Sequence, residues 1–292
     1  MKFSNNKTRK ILKYIIYVLV LLWILWPIGI MFLESFRIDL SPLLAGRGIS
    51  FIGGVPFYSG GFRPSIQNYI NAFSFVSYPH LVINTVIIAL SSVLSCVIIG
   101  TPTAYALARY KFRSKGFVEF LILTLRTISP FAVLIPFYTI YGHYGLWDTY
   151  LGMMVVYWVI NLPVIVWMLR GFFSDIPKDI WEAATVYGAT DFTILRRIAI
   201  PMIIPGLMAT IIFTFVLGWN EFLYSSILTG PATKTVTKGI WFGMGEGAGY
   251  RQVEWDAINT GGVLAFVPAL ILVLLIRRYL IRGFTMGSSL KT

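Results

Sequence analysis

Paired cysteines, a histidine cluster and a nucleotide-binding loop are all missing from this 292-residue sequence. The single cysteine, Cys96, lies in an apolar run, so no intrachain disulfide is possible. Two histidines, His80 and His143, are too few for a histidine-built metal site. No G-x-x-x-x-G-K-S/T occurs, so the chain has no phosphate loop of its own. H-E-x-x-H and G-x-S-x-G are absent as well, which leaves a membrane enzyme without its nucleophile and base. Charge is scarce at 12% of residues, against roughly 25% in soluble domains.

What fills the sequence is apolar. Hydrophobic residues make up 57% and the mean hydropathy is +0.76, which describes a polytopic membrane protein. Apolar segments of the roughly 20 residues needed to cross a bilayer run over about 11–33, 81–107, 117–141, 150–173, 206–228 and 259–280. The first is too long for a signal-peptide core and no small-residue cleavage site follows it. Six spans predict an all-α protein with both termini on one side. The division expected is a terminal segment 1–10, a first span 11–33, an outer loop 34–80, a five-helix core 81–280 and a tail 281–292.

Lys and Arg choose the side. The N-terminal segment, 109–115, 170–197 and the C-terminal segment carry 17 of them, against 6 in the opposite loops. The positive-inside rule therefore places both termini and the 174–205 loop in the cytosol. The net charge of +12 reflects this orientation, and no nucleic-acid partner is needed to explain it. The outer loops 34–80 and 229–257 are glycine-rich, which suits either a mobile surface that adapts to a partner or a plain connector.

The most informative stretch is Pro177–Pro205, polar and charged between two apolar segments. Pro177 opens a helical piece with Asp179 in its first turn, where a helix dipole favours an anion. Ile180, Ala183, Ala184 and Tyr187 follow at i, i+3, i+4 and i+7, an apolar stripe. Gly188 breaks the pattern. Thr190-Asp191 caps a second piece that ends at Arg196-Arg197, before Pro201 and Pro205. A helix-turn-helix with a small-residue face is built to dock on another protein.

Glu182-Ala183-Ala184, Gly188 and Ile198-Ala199-Ile200-Pro201 together resemble the EAA motif of permease subunits of binding-protein-dependent ABC importers. Ile200 stands where that family usually has Leu, and Tyr187 replaces a common acidic residue. Trp219-Asn220-Glu221-Phe222 resembles a signature of the sugar-importing, maltose-type second permeases. Tyr105–Arg109, Ile135-Pro136-Phe137-Tyr138 and the Arg282–Gly287 tail add to the likeness, which covers roughly residues 65–290.

The resemblance implies a six-helix type I importer fold in the cell membrane, one half of a heterodimer with a second permease. It implies two ATPase subunits that hold ATP and Mg, no cofactor in this chain, and a sugar or oligosaccharide delivered by an extracytoplasmic binding protein. It assigns ATPase coupling to Glu182, Ala183, Ala184, Tyr187, Gly188, Ile198 and Pro201. A non-sugar solute such as a polyol phosphate or osmolyte is the alternative cargo. An ATP-independent secondary transporter is the more distant one.

Polar groups within the spans are costly in hydrocarbon, so they face a path or a packing interface. Asn84, Arg126, Tyr157, Asn161, Asn220 and Glu221 are the candidates for a translocation path. Ser91, Ser92 and Trp158 have the same chemistry. Glu221 either joins helices or lines a vestibule. Arg126 either faces the path or pairs with Glu119 or with a carbonyl freed by Pro130 or Pro136.

Overall fold

The computed structural model describes residues 5–36, 66–74, 77–245, 258–271 and 274. Most of the 34–80 loop, the second half of the 229–257 loop, the distal part of the sixth expected span and the Arg282–Gly287 tail lie outside them. Every regular element among the described residues is helical. The chain divides into two compact units, residues 1–77 with 240–266 and residues 78–239 with 267–292.

In the first unit, α1 (Asn5–Ser35) is a 31-residue helix. Its apolar window is uncovered on every side. A helix with no polar face and no protein cover belongs in lipid. Its end is tied down by a small polar group. The Ser35 hydroxyl shares a hydrogen bond with Tyr69 Oη of α2 (Gln67–Ser74) at 2.7 Å, and the Ser35 carbonyl accepts from Thr260 Oγ1 at 3.1 Å.

Three long helices frame the second unit: α3 (Tyr78–Arg109), α6 (Tyr150–Ser174), and α9 (Ile200–Trp219). The pair α3 and α6 packs most extensively. At Gly100 of α3, a Cβ would stand 2.9 Å from Ile165 of α6, so only glycine permits this approach. Close backbone approach is how helices associate where burial from water supplies no drive.

Between α3 and α6 the expected single span is broken. Residues 115–144 form α4 (Lys115–Thr127) and α5 (Pro130–Tyr144), bent by 86°. The cause is local. Pro130 at the start of α5 pushes the preceding residues out of the helical region, and Ile128 and Ser129 are extended at ψ 134° and 128°. Four helices are long and apolar enough to cross a membrane, and the bent pair makes up to five. The described part of the sixth, α12 (Ile258–Ile271), falls short of a full crossing.

The 177–205 stretch follows α6 as α7 (Lys178–Val186) and α8 (Asp191–Ile194). The second piece does not end at Arg196-Arg197. It runs through a π turn, Leu195–Ala199, directly into α9, so one helical rod extends from Asp191 to Trp219. The widened register, with Ile200 N–H donating to the Leu195 carbonyl, sits just before Pro201, which has no N–H to give. The rod stops at Trp219, nine residues short of the expected Leu228, and a separate α10 (Leu223–Leu228) and α11 (Val236–Gly245) follow.

Candidate functional site

The segment around Gly188 is organised by local chemistry. Gly188 has φ +77°, the left-handed conformation. Its N–H donates to the Thr185 carbonyl and that of Ala189 to the Ala184 carbonyl, each at 3.0 Å. This is a Schellman end to α7, with glycine at the one position where a Cβ is strained. Thr190 Oγ1 then accepts from Thr193 N–H at 3.4 Å and caps α8, the role its position predicts.

The predicted stripe on α7 divides. Ala184 is buried and Ile180 packs beside it, but Ala183 and Tyr187 point away from the chain. Trp181, one residue from the stripe, takes the inward place. It joins Tyr105 and Phe173, with ring centroids 5.6 and 5.7 Å from Tyr105. The outward face then carries Glu182, Ala183, Val186 and Tyr187, the last two 85% and 89% exposed. Phe192 of α8 is exposed as well. Of the other residues assigned to coupling, Ile198 packs on the core from the π turn and Pro201 is exposed.

A second cluster, missed from the sequence, lies under this face. Arg109, at the end of α3, sits 5.6–5.7 Å from the ring centroids of Tyr105, Tyr110 and Trp181. Its guanidinium donates to Tyr105 Oη, to Thr185 Oγ1 at 3.2 Å and to the Asp191 carboxylate at 3.0 Å. One side chain thus grips residues on both sides of Gly188. Burial first, then the Asp191 carboxylate, pushes the Tyr110 hydroxyl up to about 12, so it stays neutral beside the pair. The only sequence signal was the Tyr105/Arg109 spacing of i, i+4, which puts both on one face.

The candidates for a translocation path scatter over the second unit. Asn84 of α3 is fully buried and spends its amide on the chain: Nδ2 donates to the Ala232 and Lys234 carbonyls at 3.1 Å, and Oδ1 accepts from Tyr150 Oη at 2.7 Å. Glu221 accepts from the N–H groups of Tyr224 at 2.7 Å and Ser225 at 3.0 Å, and from Tyr157 Oη at 3.3 Å. It caps α10 and ties it to α6, the helix-joining geometry. Asn220 is exposed and donates to the Val216 carbonyl. Asn161 donates weakly to Ser92 Oγ at 3.4 Å, and its Oδ1 is buried with no partner.

Arg126 does not pair with Glu119. That carboxylate is held by Arg170, with Nε and Nη2 each 2.8 Å from Oε1, and by Lys115 at 3.9 Å. Arg126 is exposed at the bend between α4 and α5 and makes no ion pair among the described residues.

At the opposite end of α6, Asp148 forms a clasp the sequence did not reveal. It holds φ +54° and accepts from the Gly230, Ala232 and Thr233 N–H groups at 2.7, 3.1 and 2.9 Å and from Thr233 Oγ1 at 2.7 Å. Burial alone would raise its pKa, but these four donors outweigh it and hold the carboxyl below the ordinary carboxylate range. The start of the glycine-rich 229–257 loop is therefore pinned, not open.

The chain is similar to known transport proteins. Residues 97–285 match the family described as "Binding-protein-dependent transport system inner membrane component". The sulfoquinovosyl glycerol transport system permease of Agrobacterium fabrum is 31% identical over 225 residues, 77% of this chain and 78% of that one. The trehalose/maltose transport system permease of Thermococcus litoralis is 27% identical over 230 residues, 78% and 82% of the two chains. A chain of the solved bacterial transporter for the acidic polysaccharide alginate superposes with a TM-score of 0.71 at 18% identity, covering 96% of this chain and 99% of its own.

Proposed function

The chain belongs to the family of inner membrane components of binding-protein-dependent transport systems, and on that premise we propose that it carries a sugar or oligosaccharide. It is a multi-pass permease subunit of an ABC importer, a transport component and not an enzyme. The sugar reading draws on relatives named for saccharide transport. In this reading an extracytoplasmic binding protein delivers the sugar to a heterodimer of this chain and a second permease. Two ATPase subunits on the cytosolic side hold ATP and Mg²⁺.

One observation carries the coupling role: the outward face of α7 and α8. Ala183, Val186 and Tyr187, at i, i+3 and i+4, form an uncovered apolar strip beside Glu182, and Phe192 of α8 is exposed as well, on a segment too polar to lie in lipid. An exposed apolar strip rimmed by polar groups marks a docking site. The occupant proposed is an ATPase subunit. The rod from Asp191 to Trp219 then makes α8 continuous with the membrane helix, so motion at the docked turn reaches α9 without a hinge loop.

Mild-detergent purification of the tagged chain from its native membranes tests the reading. It is expected to bring down a second permease, two ATPase copies and a binding protein whose bound ligand is a sugar. A binding protein loaded with a polyol phosphate or osmolyte would replace the cargo and leave the machine. Recovery of this chain alone or as a homodimer, with no ATPase in several detergents, would overturn it.

A further inference from the structure

We propose that Arg109 is the positioning residue that makes the α7–α8 turn one rigid body with α3, so that force applied at the turn enters two membrane helices at once. The inference rests on the reading of the 177–205 segment as the ATPase contact, and goes beyond it in naming how the turn is held.

Three observations converge. The turn itself has few internal supports: a Schellman bond pair, a Thr190 cap and the φ +77° of Gly188. These bonds alone do not fix the angle between α7 and α8; Trp181 and Ala184 on one arm and Ile194 on the other seat both on the core, but apolar contact of that kind is non-directional. Arg109 adds the directional constraint from outside, because its planar fork reaches Thr185 on one side of Gly188 and Asp191 on the other. The guanidinium is also walled by three rings from α3, the α3–α4 connection and α7, which leaves it one place to stand.

Stability is not what this arrangement serves. Asp191 is 62% exposed, and ion pairs at such sites add little to folding. A contact that is weak for stability yet reaches both arms of a turn fixes geometry. The outward face stays clear of it: Val186 and Tyr187 project into solvent, and Glu182 is exposed and makes no hydrogen bond or ion pair among the described residues. Docking and positioning are therefore separable by mutation.

The direct test uses the full importer complex with its loaded binding protein, comparing Arg109→Gln, Arg109→Lys and Asp191→Asn. Three quantities are read: ATPase recovered with the chain, ATP hydrolysed, and sugar imported per ATP. Arg109→Gln is expected to keep its ATPase subunits and its basal hydrolysis while sugar imported per ATP falls by about tenfold, within the usual range of coupling strengths. Arg109→Lys keeps the charge but not the fork, so it is expected to recover only part of the loss.

Asp191→Asn, on the exposed side, is expected to lower the ratio without lowering abundance, and it decides the matter where Arg109→Gln does not accumulate. A wild-type ratio in Asp191→Asn and in any accumulating Arg109→Gln would overturn the proposal. Absence of ATPase from the wild-type complex would instead defeat the coupling reading on which it stands.

Discussion

Replacing Gly188 with valine is expected to abolish import, lowering sugar uptake at least about tenfold, while the chain still reaches the membrane. The left-handed conformation costs an ordinary L residue roughly 1–2 kcal/mol, and a β-branched side chain more. At φ +77° valine forfeits the two hydrogen bonds that end α7 or carries the strain. Space is not the problem, since a Cβ here would meet nothing within 4 Å. Gly188→Asn is therefore the discriminating control, because asparagine tolerates this conformation. Uptake close to wild type in the asparagine variant, and lost in the valine variant at equal abundance, is the predicted pair. Normal uptake with valine would remove the turn from the mechanism.

The second large effect is expected on the outward face. The double variant Val186→Asp with Tyr187→Asp should fold normally, since substitutions at exposed sites usually change stability by less than about 0.5 kcal/mol. Docking should fail. Aromatic anchors at interfaces commonly contribute 2 kcal/mol or more, about a thirtyfold change in affinity each, and here a carboxylate would be pressed into an apolar contact. The ATPase recovered in a pull-down should fall below a tenth of the wild-type amount while the second permease is retained. Undiminished ATPase would show that the subunit docks elsewhere.

Local chemistry in the sequence predicted local structure well. Asp179 in a first turn, a break at Gly188 and Thr190 as a cap each depend on neighbours within four residues, and each stands as expected, the break taking the form of a left-handed glycine. Facing was harder to read. A short helix rich in apolar residues supports more than one stripe, and Trp181 outcompetes Ala183 and Tyr187 for the interior because it buries the larger surface. The break between α4 and α5 was written in Pro130, but continuous hydropathy concealed it.

Partners distant along the chain left no pattern. Arg170 takes Glu119 from 51 residues away, whereas Arg126, seven residues away on its own helix, does not. The same holds for Arg109 with Asp191 and for Asp148 with the 230–233 backbone, where a 3 Å contact joins segments about eighty residues apart. Glu221 was legible as important, but its role was not. Its carboxylate meets the N–H groups of Tyr224 and Ser225 only because the rod stops at Trp219.

The central claim is that the α7–α8 face meets an ATPase in the cytosol. Its most direct test is a benzophenone attached to Tyr187→Cys and photolysed in native membranes. The one natural thiol, Cys96, is fully buried, so labelling reports the introduced site. Tyr144→Cys, exposed at the far end of α5, is the control. The account predicts an adduct of this chain with an ATPase subunit from position 187 and none from position 144. An adduct with the extracytoplasmic binding protein from position 187, or none with an ATPase, would contradict it.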